Sequence, residues 1–97
     1  MSKRRSRLEI ILSILSVVKE GHEKPTNIMY AVNRSWNPTQ KMLSIMVEEG
    51  LLELMTALGL SRRRYAITEK GINVLDYFEK ANEIMPNNPY LVLAISR

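Results

Sequence analysis

Between Arg7 and about Glu20, apolar residues recur at helical spacing and predict a first helix. One stripe of this helix is predicted to be buried and consists of Leu8, Ile11, Leu12, Leu15 and Val18. A second apolar stripe beside it consists of Ile10, Ile14 and Val17. Ser6 can cap the helix, and Gly21 ends it. Because two apolar stripes are more than the surface helix of a small monomer needs, the second stripe predicts a partner.

Two further helices are predicted before Gly50. The second begins at Pro25 or Thr26 and ends at Asn33. The third is expected to be capped by Asn37, with Pro38 at its first position and Gln40 completing a capping box. Its core side is predicted to carry Thr39, Leu43, Met46 and Gly50, and its polar side Gln40, Lys41 and Ser44.

A β-hairpin is predicted after Gly50. The apolar run from Leu51 to Ala57 is too short for an ordinary helix, and Tyr65 to Thr68 alternates as a strand does. Gly59 and Ser61 supply turn residues between the two runs. The hairpin therefore carries three consecutive arginines, residues 62–64, at its tip and returning strand.

A fourth helix is predicted after the hairpin, capped by Thr68. It has one apolar stripe of Ile72, Leu75 and Phe78, and another of Val74, Tyr77, Ala81 and Ile84. Pro86 and Pro89 break the helix. The apolar run from Tyr90 to Ile95 is expected to dock on its own domain or on a second chain, because an exposed run of this kind promotes association.

This order of elements predicts a mainly α fold with a small β-hairpin. It is typical of a winged helix-turn-helix, with a three-helix core, a wing and a C-terminal fourth helix. The 97 residues are enough for one domain. We expect a basic arm at residues 1–6, the folded domain at residues 7–85 and an apolar tail at residues 86–97.

Composition narrows the possible functions. Cysteine is absent and His22 is the single histidine, so we expect neither disulfides nor a metal site. No set of nucleophile, base and orienting residue is visible, so we expect neither an enzyme nor a cofactor. No apolar run is long enough for a membrane helix, and no signal peptide is recognisable. We therefore expect a cytoplasmic protein, associated with the nucleoid if it binds DNA.

The net charge of +4 is unevenly distributed. Basic residues predominate in residues 1–47 and 60–70, whereas acidic residues predominate in residues 48–59 and 71–97. The start of the chain and the hairpin tip thus form the positive clusters, which suits a surface that faces a polyanionic backbone.

The third helix is the candidate recognition helix, because the DNA major groove admits one α-helix. Gln40 can bond adenine, Lys41 can reach guanine or a phosphate, and Ser44 can do either. The alternative is that these side chains are simply the solvated face of a core helix. The residues predicted to read DNA from this helix are Asn37, Thr39, Gln40, Lys41 and Ser44.

The hairpin and the flanking basic residues are candidates for contacts with the DNA backbone. Side chains alternate along a strand, so Arg62 and Arg64 share a face while Arg63 points away. The alternative role of these arginines is to protect an exposed strand edge from pairing. Further backbone contacts are predicted for Lys3, Arg4, Arg5, Lys24, Thr26, Arg34 and Ser35.

Three segments resemble a known family: SRLEIILSIL, KPTNIMYAVNRSWNPTQKML and YAITEKG. They are similar to small archaeal winged helix-turn-helix DNA-binding proteins, which include the ten-kilodalton chromatin proteins of Sulfolobus. The resemblance implies a homodimer that contacts duplex DNA through its recognition helices and wings, joined by a C-terminal coiled coil. This chain departs from that pattern at Pro86, which stops the last helix early.

The residues predicted to lie at a dimer interface are Ile10, Ile14, Val17, Val74, Tyr77, Ala81, Ile84, Tyr90, Leu91 and Leu93. The sequence thus predicts a homodimer that binds double-stranded DNA, as a transcriptional regulator or a chromatin-type protein. The alternative is a winged-helix adaptor that binds other proteins without reading DNA.

Overall fold

The structure is a computed structural model that describes residues 7–56 and 63–85. Its elements, in chain order, are α1 (Arg7–Lys19), α2 (Pro25–Val32), α3 (Trp36–Glu48), β1 (Leu52–Thr56), β2 (Arg63–Ile67) and α4 (Glu69–Ile84). The two strands pair antiparallel as a hairpin. The predicted mainly α fold with one small hairpin is confirmed. The predicted arm, residues 1–6, and the predicted tail, residues 86–97, lie outside the described residues.

Every described element contributes side chains to one apolar core. α1 supplies Leu12 and Leu15, and the remaining core residues include Ile28, Val32, Leu43, Met46, Leu52, Tyr65 and Leu75. Full burial of one such aliphatic side chain stabilises the fold by about 1.5–3 kcal/mol. The core therefore holds the three helices, the hairpin and α4 in one unit.

Helix α1 is buried on both of its apolar stripes. Ile10, Ile14 and Val17 retain only 7%, 0% and 2% of their exposure. The prediction that this stripe needs a partner is therefore wrong, because α1 packs against α2, β2 and α4 of its own chain. Leu8 is predicted to be buried, but it is 37% exposed at the first turn of the helix.

The first three helices end in the same way, each with a residue at positive φ. Gly21 and Gly50 have φ values of 113° and 79°, and Asn33 has a φ of 59°. After each helix, two backbone N–H groups turn back to the last carbonyl groups, as in a Schellman motif. The predicted stop at Gly21 is confirmed.

The hairpin is held to the helices by Leu52 and Tyr65, which are both buried. In the register, Leu52 lies opposite Ile67 and Thr56 opposite Arg63. The backbone N–H of Tyr65 also donates to the carbonyl oxygen of Glu23 at 2.9 Å. The segment between α1 and α2 thus binds the free edge of β2.

A cluster that we call the Thr68 junction joins α3, the hairpin and α4, and it consists of Gly50, Leu51, Thr68 and Gly71. The Thr68 hydroxyl donates to the carbonyl oxygen of Gly50 at 2.6 Å and accepts from the N–H of Gly71 at 3.0 Å. The N–H of Thr68 donates to the carbonyl oxygen of Leu51 at 3.2 Å. The predicted capping of the fourth helix by Thr68 is confirmed.

Gly71 allows the close approach on which this junction depends. A Cβ atom at position 71 would collide with the carbonyl oxygen of Leu51 and would lie 2.8 Å from the Cγ1 of Ile67. Because one of these neighbours is backbone, it cannot rotate away as a side chain can. The first turn of α4 can therefore pack against the Gly50 turn only when residue 71 has no side chain.

We expect Gly71→Ala to lower the free energy of unfolding by about 2–3 kcal/mol, because overpacking forces the backbone apart. Urea denaturation of the wild type and the variant measures this change. The matched control is Asn73→Ala on the exposed side of the same helix, which should change stability by less than about 0.5 kcal/mol. A Gly71→Ala variant as stable as the control would show that the junction tolerates a side chain.

Candidate nucleic-acid interface

Helices α2 and α3 are joined by a tight turn. The turn consists of residues 33–35, and Asn33 in the left-handed conformation redirects the chain after α2. Ile28 and Val32 of α2 are buried in the same core as Leu43 of α3. This packing fixes the direction of α3 relative to the rest of the domain.

Helix α3 has one buried face and one exposed polar face. Leu43 and Met46 are fully buried. Asn37, Lys41 and Ser44, spaced four and three residues apart, are all exposed on the opposite side. Gln40 is half-buried at the edge of this polar face. Three of the residues predicted to read DNA therefore share one solvent-facing stripe.

The described basic residues of the hairpin are Arg63 and Arg64 on β2, both exposed. Arg64 lies near α2, because its Nη1 atom is 3.2 Å from the Oε1 atom of Glu23, two residues before Pro25. The basic end of β2 is therefore adjacent to the N-terminus of α2. Arg62 lies outside the described residues.

Comparison with known proteins gives the same architecture. The chain matches the winged helix-turn-helix family over residues 4–86. The chain belongs to the winged helix-turn-helix family. Domains of this family are typically non-enzymatic and bind DNA. In this fold, α3 occupies the position that is called the recognition helix, and the hairpin of β1 and β2 occupies the position that is called the wing.

The chain is also similar to an uncharacterized protein of Methanocaldococcus jannaschii, with 29% identity over 86 residues, which is 89% of this chain and 82% of that protein. No solved structure matches the chain in the comparison. The resemblance to the Sulfolobus chromatin proteins is not confirmed by these findings and stays a prediction.

Two helices of this winged helix-turn-helix begin without a side-chain cap. The N-cap residues of α2 and the recognition helix are Lys24 and Ser35, and neither side chain makes a capping hydrogen bond. Both residues are exposed, as is Thr26 in the first turn of α2. The first N–H groups of a helix attract anions when no side chain caps them. Helix α4 differs from α2 and α3, because the Thr68 side chain caps it. The predicted phosphate contacts Lys24, Thr26 and Ser35 thus lie at helix starts that suit a phosphate.

The start of the recognition helix differs from the sequence prediction. The helix begins at Trp36, so Asn37 lies in its first turn and does not cap it. The capping box with Gln40 is therefore wrong, because the helix starts before its proposed cap. Pro38 is tolerated in this first turn because its missing N–H would have no partner there.

Thr39 belongs to the core and is unsuited to contact DNA. It is 1% exposed, and its hydroxyl donates to the carbonyl oxygen of Ser35 at 2.8 Å. Its spacing of four residues from Leu43 places both on the buried face. The assignment of Thr39 as a recognition residue is therefore wrong.

Arg34 lies in the turn and is half-buried. Its Nε atom is buried without a hydrogen-bond partner among the described residues. The neighbouring aromatic side chains of Tyr30 and Trp36 are 75% and 41% exposed.

The other predicted contacts divide into three groups, which lie in the arm and tail, on α4 and on α1. The basic arm residues Lys3, Arg4 and Arg5 and the tail residues Tyr90, Leu91 and Leu93 lie outside the described residues. Of the interface residues predicted on α4, Val74 packs against the core and Ala81 is half-buried. Tyr77 and Ile84 are 69% and 80% exposed. The burial of Ile10, Ile14 and Val17 removes the reason for placing them at a dimer interface.

Within residues 7–56 and 63–85, no group of three or more potential metal-binding side chains comes together. No helix in the described part of the chain is long and apolar enough to cross a membrane. Glu48, Glu49 and Glu53, the acidic group at the end of the recognition helix and on β1, are all exposed.

Glu23 is the residue of this surface that the sequence did not indicate. It contacts β2 twice, through its carbonyl oxygen to Tyr65 and through its carboxylate to Arg64. Its partner Arg64 is 41 positions away in the chain. No local sequence pattern reports a contact over that separation.

Proposed function

We propose that this winged helix-turn-helix protein binds double-stranded DNA. The observation that carries the proposal is the exposed polar stripe of the recognition helix, Asn37, Lys41 and Ser44, on a helix whose opposite face is buried. A polar stripe on a short, firmly packed helix suits insertion into a major groove.

The neighbouring basic groups support contacts with the phosphate backbone. The uncapped N-terminus of α2 carries Lys24, and the adjacent wing carries Arg63 and Arg64. Phosphate contacts of this kind set the register of a protein on a duplex, and they weaken as salt rises. The recognition helix would then read base edges while the start of α2 and the wing hold the backbone.

We assign the protein to transcriptional regulation or to chromatin-type DNA coating. The two roles differ in their dependence on sequence, because a regulator prefers its operator and a coating protein binds all sequences alike. Titration of duplexes of different sequence separates them. Marked preference supports a regulator that reads bases through Gln40 and Lys41, whereas uniform affinity supports coating.

Removal of the positive charges of the wing should weaken DNA binding. We expect the variant Arg62→Ala, Arg63→Ala, Arg64→Ala to lose affinity for a random duplex and to reduce the slope of log affinity against log salt by about two to three. Fluorescence anisotropy at several salt concentrations measures both quantities. An unchanged slope would contradict the wing assignment.

A protein-interaction adaptor is the second candidate function, and the exposed Tyr30 on α2 favours it. Titration of the wild-type protein with a random duplex distinguishes an adaptor from a DNA-binding protein. Binding of random duplex at low salt that disappears at high salt supports DNA binding. No binding at low salt supports the adaptor.

The partly exposed apolar stripe of α4 supports pairing of two copies. Tyr77, Ala81 and Ile84 recur at intervals of four and three residues, the spacing by which helices pair along an apolar seam. An ion pair adjoins the start of this stripe. The Oδ1 atom of Asp76 lies 3.8 Å from the Nζ atom of Lys19, the last residue of α1. We assign the homodimer contact to this stripe.

Ile84→Glu should convert a dimer into a monomer, because a charge would have to be buried in an apolar seam. Sedimentation velocity of the wild type and the variant measures the molecular mass. The matched control, Asn27→Glu, adds the same charge at an exposed position of α2, outside the α4 stripe, and should stay dimeric. A monomeric wild type, or a dimeric Ile84→Glu variant, would contradict the assignment.

A further inference from the structure

Glu23 is an acidic residue that lies between two basic residues of this surface, Lys24 and Arg64 of the wing. It directly precedes Lys24, the N-cap residue of α2, and its carboxylate contacts Arg64 of the wing. A carboxylate here faces the groups that a DNA phosphate would need. The backbone of Glu23 is held in place, because its carbonyl oxygen accepts the N–H of Tyr65, whose side chain is buried.

We propose that the Glu23 carboxylate is an internal competitor for DNA, which occupies Arg64 until a phosphate replaces it. This inference rests on the proposed DNA-binding function and adds a residue that sets its strength. In the free protein the positive charge of Arg64 is neutralised by Glu23. On DNA, the guanidinium exchanges this partner for a phosphate.

The geometry of the pair favours exchange. Only one contact is formed, between Nη1 and Oε1 at 3.2 Å, instead of the two parallel bonds of a bidentate pair. Both side chains are about half exposed, at 48% and 49%. Ion pairs exposed to this degree stabilise a protein by roughly 0.2–1 kcal/mol. A duplex offers a row of phosphates, so it can displace a single exposed carboxylate.

The wing stays in place without the Glu23 carboxylate. The wing is anchored by the buried side chains of Leu52 and Tyr65 and by the backbone bond from Tyr65 to the Glu23 carbonyl oxygen. That bond uses a main-chain atom, which remains when the side chain changes. Replacement of the carboxylate by an amide should therefore leave the position of the wing intact.

The test is a double-mutant cycle on the full chain with Glu23→Gln, Arg64→Gln and the double variant. We expect Glu23→Gln to tighten binding of a random duplex about two- to fivefold at low salt, the equivalent of losing one exposed ion pair. The slope of log affinity against log salt should become steeper by up to about one. In the Arg64→Gln background the same substitution should give no gain.

The matched control is Glu83→Gln, which makes the same change of net charge near the end of α4 and should leave affinity within about 1.5-fold of the wild type. Thermal unfolding of every variant checks that the fold persists. If Glu23→Gln binds the duplex as tightly as the wild type or more weakly, at an unchanged melting temperature, the competitor role is overturned. The pair would then have a structural role only. A gain that persists without Arg64, or that Glu83→Gln reproduces, would overturn the competitor role too.

The failure of this inference is distinguishable from the failure of the proposed function. If the wild type binds no duplex at low salt, DNA binding itself is wrong, and the competitor role falls with it. If the wild type binds and the cycle shows no gain through Arg64, the proposed function stands and only the role of Glu23 is overturned.

Discussion

The hydrogen bonds of Thr68 are the interaction on which the arrangement of this domain depends. One hydroxyl caps α4 through the N–H of Gly71 and reaches the carbonyl oxygen of Gly50, which ends the recognition helix. The N–H of Thr68 bonds the start of the wing at Leu51. A single residue thus fixes the end of the recognition helix, the base of the wing and the first turn of α4. The absence of a side chain at Gly71 allows these three elements to meet.

The Thr68 junction and the core together position the elements of the candidate DNA surface. The recognition helix is held by Leu43 and Met46, so its polar stripe can face outward without reorganisation. The wing is held by Tyr65, whose backbone also joins the segment before α2. A ligand would therefore meet a surface that is already formed, and such preorganisation lowers the entropic cost of binding.

Local sequence patterns predicted the elements of the fold well, because helical periodicity, turn residues and the Thr68 cap act over a few residues. They also identified the exposed positions Lys41 and Ser44 of the recognition helix. Local patterns do not show which surface covers an apolar stripe. The prediction that Ile14 contacts a partner is therefore wrong, because α1 packs against other elements of its own chain. Local patterns also missed the pair of Glu23 and Arg64, because it depends on how the chain folds back on itself.

The recognition helix, the start of α2 and the wing are proposed to form one DNA-binding surface. Backbone amide chemical shifts of the nitrogen-15-labelled protein, titrated with a random duplex, test this most directly. A shared DNA-binding surface should give salt-sensitive shifts at Thr26, Lys41 and Arg63 and should leave α4 residues such as Lys80 unaffected. Shifts confined to α4, or no shifts at low salt, would contradict it.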